Sequence, residues 1–172
     1  MAVFKEAFNK VLKHEGGYAS VSNDAGGETM YGISRKYFPD WKGWAIIDRN
    51  KPLKHNKKIV SSELDGLVSE FYRLNFWDKM RGTEIKDQPV ANFIFDFYVN
   101  SGRTALIQVQ RTIGAIDDGI FGANTIVVIN NHGAELLQTL KCVRIQFVRN
   151  IVKNNTSQNK FLIGWLSRIN SF

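Results

Sequence analysis

The segment 89–100, PVANFIFDFYVN, constrains the fold more than any other part of the sequence. Apolar residues occupy nearly the whole circumference of a helix drawn through it, a pattern typical of a helix buried in a core. Pro89 fits the preference of proline for the first helical turn. The polar exceptions Asn92, Asp96 and Asn100 are spaced i, i+4, i+8 and form one stripe. Because buried polar groups need hydrogen-bond partners, this stripe must face other polar groups, water or a cleft.

The remainder of the chain is patterned mainly for helices. Apolar residues recur at helical spacing over 2–15, 61–76, 103–113, 135–152 and 161–169. Between residues 16 and 32 five glycines fall close together, which predicts a loop or a short hairpin. We expect a short helix over 33–38 and mostly loop over 40–60. The sequence therefore predicts an all-α fold with at most a small hairpin in the loop after the first helix.

Composition removes several classes of protein. Hydrophobic residues make up 44% of the 172 residues, which excludes a disordered chain. No apolar stretch approaches the roughly 18 residues of a membrane span, and the single Cys142 excludes an internal disulfide and a cysteine-based metal site. The net charge of +7 favours attraction to a polyanion such as nucleic acid, anionic lipid or an acidic wall polymer. Charged residues interrupt the first 17 positions, so we expect synthesis in the cytoplasm without a signal peptide.

Glu15 is the strongest candidate for chemistry. It lies four residues after Val11 and seven after Phe8, so it continues the apolar stripe of the first predicted helix. Desolvation and the negative end of the helix dipole would both raise the pKa of a carboxyl group placed there. A carboxyl group still protonated near neutral pH can donate a proton to a leaving oxygen. The alternative is a side chain that reaches water at a frayed helix end.

The glycine-rich loop supplies a second carboxylate. Asp24 follows Glu15 by nine residues and Thr29 follows Asp24 by five. A helix-end acid facing a second carboxylate is the arrangement that glycoside cleavage uses, with Thr29 available to hold a water molecule. Glu28 is a rival for the second carboxylate, and Asp24 also fits an ordinary turn. The sequence does not give the separation of the carboxyl groups, so retention and inversion of configuration both stay open.

These residues fall in motifs that resemble one family. The chain is similar to the EGGY-type muramidases of glycoside hydrolase family 108, which include lysozyme-like secretion activators, and the similarity runs from about residue 4 to 150. The opening motif is Glu15-Gly16-Gly17-Tyr18, followed by Asp24-x-Gly26-Gly27-x-Thr29-x-x-Gly32-Ile33. Further matching motifs are Phe76-Trp77-Asp78-Lys79, Gln88-Pro89-Val90-Ala91, Phe95-Asp96-x-x-Val99-Asn100-Ser101-Gly102, Val109-Gln110-Arg111-x-x-Gly114 and Asp118-Gly119-x-Phe121-Gly122-x-x-Thr125.

The resemblance implies a lysozyme-like fold and hydrolysis of the β-1,4 bond between N-acetylmuramic acid and N-acetylglucosamine. Glu15 would be the general acid, with Asp24 and Thr29 as the other catalytic residues. Residues 1–100 would form the catalytic part, and 101–172 a helical part resembling a peptidoglycan-binding segment, packed into the same globule. Because Tyr31 lies next to the glycine-rich loop, we also expect it to stack on a sugar ring. Asp96 and Asn100 would either line the cleft or brace the Glu15 helix, and bracing is the preferred interpretation.

No metal or cofactor is expected, because the three histidines are scattered and no HExxH motif is present. The expected partner is the glycan strand of peptidoglycan, with no specific nucleic acid and a monomeric protein. Action in the periplasm or on the cell wall would follow release by a dedicated exporter or by phage-type lysis. Two other functions stay open: a non-catalytic peptidoglycan-binding or secretion-activating protein, and a basic helical nucleic-acid binder supported by charge alone.

Overall fold

The structure is a computed structural model, and it describes residues 1–20 and 27–172. The chain divides into two compact units. One comprises Phe8–Leu74, and the other combines Met1–Ala7 with Asn75–Phe172. Helices dominate the described residues, as predicted, and a small sheet follows the first helix. No helix of these ranges is both long enough and apolar enough to span a membrane.

The first helix, α1, is shorter than its apolar pattern predicts. It covers Phe4–Leu12 rather than 2–15, and it buries Ala7, Phe8 and Val11. Beyond Leu12 the backbone tightens to bonds between residues three apart, from His14 N to Val11 O at 2.9 Å and from Glu15 N to Leu12 O at 3.3 Å. The helical bonding pattern is therefore lost before Glu15, although the chain still turns.

The sheet in the unit Phe8–Leu74 is antiparallel and has the order β1-β2-β3, with β1 at Tyr18–Ser20, β2 at Glu28–Met30 and β3 at Ile33–Ser34. Met30 pairs with Ile33 across a two-residue turn. Both turn residues, Tyr31 and Gly32, have positive φ, at 49° and 75°, as a type I′ hairpin turn requires. This turn makes residues 33–34 extended, so the prediction of a helix over 33–38 is wrong.

Two helices complete this unit. The helix α2, Gly43–Arg49, lies where mostly loop was predicted; it forms because Trp44, Ile46 and Ile47 bury one of its faces. The helix α3 covers Ser62–Tyr72, and the Ser61 hydroxyl caps it by accepting a hydrogen bond from Leu64 N at 3.2 Å. The chain then continues as a π-helical segment over Arg73–Trp77.

The second unit is built around α4, Gln88–Ser101, which confirms the predicted buried helix. Asp87 caps it by accepting a hydrogen bond from Val90 N at 2.9 Å, and Phe93, Ile94, Phe95 and Phe97 are fully buried. The later helices are α5 at Arg103–Thr112, α6 at Ala123–His132, α7 at Leu136–Asn154 and α8 at Asn159–Asn170. The helices α5 and α7 pack on α4, and α8 packs on α7.

Residues 1–7 complete the core of this unit. The backbone N–H of Ala2 donates to Ile85 O at 2.8 Å. The Phe4 ring packs against Trp77 and Phe95 with ring centroids 5.7 and 6.0 Å apart. The unit is therefore discontinuous in sequence, because its first seven residues precede the whole of the other unit.

Candidate active site

Glu15 and Gly32 lie against each other in the unit Phe8–Leu74. Glu15 is half-buried, and a Cβ atom added to Gly32 would stand only 2.6 Å from its Oε2 atom. The same Cβ would stand 2.8 Å from the hydroxyl oxygen of Tyr72. The absence of a side chain at residue 32 is therefore what lets the carboxyl group and the hydroxyl approach the sheet turn.

Tyr72 fixes the turn on which Gly32 lies. Its hydroxyl donates a hydrogen bond of 2.7 Å to the backbone oxygen of Tyr31. Tyr72 is 2% exposed, so this bond is shielded from water. The Phe8 ring of α1 packs on Tyr72 with centroids 5.6 Å apart. The end of α3, the start of this unit and the β2–β3 turn thus meet beside the Glu15 carboxyl group.

Of the two candidates for the second carboxylate, Glu28 is fully engaged. Its Oε1 accepts from Tyr18 Oη at 2.9 Å and from Lys51 Nζ at 2.6 Å, and its Oε2 accepts from Arg35 Nη1 at 2.6 Å. Burial raises the pKa of Glu28, but the hydrogen bonds from Lys51, Arg35 and Tyr18 outweigh it, and the net effect is a lowered pKa. A carboxylate held in this way is a poor proton acceptor and a poor nucleophile.

Glu28 belongs instead to a four-membered ion network. Asp48 of α2 also binds both Arg35 and Lys51, with Lys51 Nζ 2.8 Å from Asp48 Oδ1. Two acids and two bases balance each other, and the network ties β2 to α2. Asp24, the preferred candidate for the second carboxylate, lies outside the described residues, so its role stays a prediction.

Thr29 and Tyr31 occupy β2 and its turn. Thr29 is partly exposed and is paired in register with Ala19 and Ser34. Strand alternation places its side chain on the sheet face opposite to those of Glu28 and Met30. Tyr31 is only 6% exposed, and burial together with the nearby charge of Asp65 raises the pKa of its phenol. That burial leaves little ring face for a sugar, so stacking by Tyr31 stays a prediction that this structure does little to support.

Asp96 has a different role from the one expected. It is fully buried in the other unit. Its Oδ2 accepts from Arg144 Nη1 of α7 at 2.7 Å, and its Oδ1 accepts from Arg168 of α8, Nε at 2.9 Å and Nη2 at 2.7 Å. Both oxygens are thus occupied by arginines of the C-terminal helices. The interpretations of Asp96 as a cleft residue and as a brace for the Glu15 helix are therefore corrected: it joins α4, α7 and α8.

The other two residues of the polar stripe, Asn92 and Asn100, also have hydrogen-bond partners. Asn92 accepts from Gln88 Nε2 at 2.6 Å. Asn100 is exposed at the end of α4, and its Nδ2 donates to Asp96 O at 2.8 Å. A contact of Asn100 with substrate stays a prediction. The arginines were missed at the sequence level, although Arg144 follows Leu136 and Leu140 at four-residue spacing and so interrupts the apolar face of α7.

Within residues 1–20 and 27–172, no group of three His, Cys, Asp or Glu side chains is arranged to hold a metal ion.

Comparisons with known proteins agree with the sequence motifs. The sequence model of the family described as Glycosyl hydrolase 108 matches residues 8–102, and that of the family described as Predicted Peptidoglycan domain matches 104–170. Among solved structures, that of Brucella abortus SagA is similar, with a TM-score of 0.70 and 26% identity, over 98% of this chain and 90% of that one. No curated protein matches. The chain belongs to the glycosyl hydrolase 108 family.

Proposed function

We propose that the protein is an N-acetylmuramidase that cleaves the β-1,4 bond between N-acetylmuramic acid and N-acetylglucosamine, with Glu15 as general acid. The observation that carries the proposal is the position of the Glu15 carboxyl group, half-buried against the bare backbone of Gly32. Partial removal from water favours the protonated form of a carboxyl group. A protonated Glu15 would give its proton to the glycosidic oxygen as the bond to the sugar breaks.

Asp24 is the proposed second carboxylate, because Glu28 is committed to Lys51, Arg35 and Tyr18. Asp24 would stabilise the oxocarbenium-like transition state or activate water, and Thr29 would hold that water. No metal or cofactor is needed for either step, so we expect hydrolysis to continue in the presence of a chelator.

Replacement of Glu15 by glutamine tests the assignment, because the amide keeps the shape of the side chain and cannot donate the acid proton. We expect release of reducing ends from purified peptidoglycan to fall by roughly two to four orders of magnitude. Glu63→Gln is the matched control, since Glu63 is an exposed acid of the same unit, in the first turn of α3. Equal hydrolysis by wild type and Glu15→Gln would remove Glu15 from the acid role.

The products identify the bond. Reduction of the new ends with borohydride followed by mass spectrometry distinguishes a muramic acid end from a glucosamine end. We expect muramic acid ends, and glucosamine ends would contradict the proposed bond specificity while leaving a glycoside hydrolase.

A peptidoglycan-binding protein without hydrolytic activity is the second candidate, because the peptidoglycan family model matches residues 104–170. Retained sedimentation with peptidoglycan and no new reducing ends in any buffer would favour it. In either case we propose that the protein acts as a monomer at the cell wall, after release by a dedicated exporter or by phage-type lysis.

A further inference from the structure

A groove lies along the basic segment 50–60 of the unit Phe8–Leu74. Its volume is about 520 Å³, which falls in the range of roughly 300–1,000 Å³ that is typical of ligand-binding pockets. Its lining includes three lysines and three aliphatic residues: Lys54, Lys57, Lys58, Leu53, Ile59 and Val60. We call it the lysine groove.

The lysine groove carries a positive charge that the described residues do not neutralise. Residues 49–61 hold five Lys and Arg side chains and no Asp or Glu. Lys51 is committed to the four-membered ion network. Lys54, Lys57 and Lys58 are exposed, and within residues 1–20 and 27–172 none of the three is part of an ion pair. Three such ammonium groups along one groove attract a ligand that carries several negative charges.

Backbone hydrogen bonds fix the middle of this segment to the start of β1. Asn56 N donates to Tyr18 O at 2.6 Å, and Tyr18 N donates to Lys57 O at 2.9 Å. Gly17 N donates to Asn56 Oδ1 at 2.8 Å. This close approach requires glycine at residue 17, because an added Cβ would stand 2.5 Å from Lys57 O. Glu15 precedes Gly17 by two residues, so their Cα atoms are at most about 7.6 Å apart, and the basic segment is held close to the candidate acid.

The side chains of the groove select the kind of anion. A lysine ammonium is a compact point charge, whereas bidentate recognition of one carboxylate or phosphate uses the planar fork of arginine. Three separate lysines therefore suit separate charges along a chain. Leu53, Ile59 and the fully exposed Val60 add apolar surface, which suits methyl and aliphatic side groups and has no counterpart in a bare phosphate polymer. A peptide with several free carboxylates combines both features.

We propose that the lysine groove binds the carboxylates of the stem peptides on the glycan strand that is cleaved at Glu15. The identification of the ligand rests on the proposed function, because stem peptides branch from muramic acid and carry free carboxylates beside methyl and aliphatic groups. The groove makes the protein discriminate peptide-bearing strands from strands without peptides. Its three lysines act in binding and take no part in the cleavage of the bond.

The test measures binding of intact strands. The full chain carrying Glu15→Gln is titrated, in the cold and at low salt, into soluble, end-labelled, uncross-linked peptidoglycan strands, and binding is followed by fluorescence anisotropy. The ligands are strands with free peptide carboxylates, the same strands with these carboxylates converted to amides, strands whose peptides an amidase has removed, and poly(glycerol phosphate). We expect the free-carboxylate strands to bind about 3- to 100-fold more tightly than the amidated ones, because each exposed ion pair contributes roughly 1.4- to 5-fold and three act together.

Two triple variants separate the groove from the overall charge of the protein. The first removes the three groove lysines together, as Lys54→Gln, Lys57→Gln and Lys58→Gln, and we expect it to bind free-carboxylate and amidated strands equally. The matched control replaces three exposed lysines of the other unit, as Lys5→Gln, Lys79→Gln and Lys86→Gln. It lowers the net charge by the same amount, and we expect it to keep the preference for free carboxylates. All six lysines are exposed, so both variants are expected to fold.

Four outcomes would overturn the proposal: no binding of peptide-bearing strands, equal binding of free-carboxylate and amidated strands, an equal loss of that preference in the two triple variants, or binding of poly(glycerol phosphate) or of strands without peptides as tight as that of peptide-bearing strands. Release of reducing ends by wild type and Glu15→Gln tests the muramidase assignment, whereas lysine-dependent binding tests the groove. Failure of one proposal is therefore distinguishable from failure of the other.

Discussion

Replacing Gly32 by alanine displaces the Glu15 carboxyl group without removing any catalytic atom. The new Cβ would stand 2.6 Å from Glu15 Oε2, whereas ordinary contact begins near 3.4 Å, so the oxygen must retreat by about 0.8 Å. A displacement of about 1 Å at a reacting group can cost about 100-fold in rate. We therefore expect kcat/KM for peptidoglycan to fall by about 100-fold, which corresponds to about 2.7 kcal/mol of barrier.

The same substitution also affects stability, and a matched variant isolates that part. Gly32 has φ of +75°, and an L-residue in the left-handed region costs about 1–2 kcal/mol. Gly114 has φ of +69° with nothing within 4 Å of its added Cβ, so Gly114→Ala carries the backbone cost without a displaced carboxyl group. We expect a lower urea midpoint for Gly32→Ala than for Gly114→Ala, because the Cβ of residue 32 also crowds the buried Tyr72 hydroxyl at 2.8 Å, and a loss of activity in Gly32→Ala alone. Wild-type activity in folded Gly32→Ala, or equal losses in both, would refute the reasoning.

Three further results are expected from the ion pairs and caps. Asp96→Asn removes the carboxylate shared by the buried Arg144 and the partly buried Arg168, and it should lower the free energy of unfolding by about 3–5 kcal/mol. The control Asp117→Asn, at a pair with exposed side chains, should cost less than about 1 kcal/mol. Equal losses in urea titrations would contradict the assignment. The pKa of Glu28 in the folded protein lies below its ordinary value of 4.5, so the stability that Glu28 contributes is present above that pH and is lost as the pH falls through the folded pKa. The free energy of unfolding, measured from pH 6 to 3, should therefore fall less steeply for Glu28→Gln than for wild type. Parallel curves for the two proteins would exclude the effect. Ser61→Ala removes the cap of α3 and should cost about 1 kcal/mol, and an unchanged urea midpoint would show that the cap contributes nothing.

Local chemistry made the buried helix predictable. The apolar circumference of 89–100, with Pro89 in its first turn, placed α4 within a residue or so of the observed Gln88–Ser101. Helical periodicity of apolar residues predicted the helices less well where tertiary contacts determine the conformation of the backbone. It extended α1 to residue 15 and missed α2, whose short apolar face lies among basic and aromatic residues.

Long-range pairing limited what could be said of the candidate site. The sequence brought Glu15 and the glycine-rich loop into one hypothesis, and the structure places Glu15 against Gly32 of that loop. The sequence could not show that Glu28 forms ion pairs with Lys51 and Arg35, because strand register and the position of α2 determine those contacts. The partners of Asp96 lie 48 and 72 residues further along the chain, and only the placement of Arg144 within an apolar face gave any sign of them.

The discontinuous unit formed by Met1–Ala7 and Asn75–Phe172 affects the order of events on the ribosome. Phe4 packs on Trp77 and Phe95, and the later of these partners, Phe95, is made about 90 residues after Phe4. At about 5–20 residues per second, the wait between their synthesis is roughly 5–18 s. During that interval the continuous stretch Phe8–Leu74 can begin to collapse. Phe4 must remain available for packing until its later partners emerge.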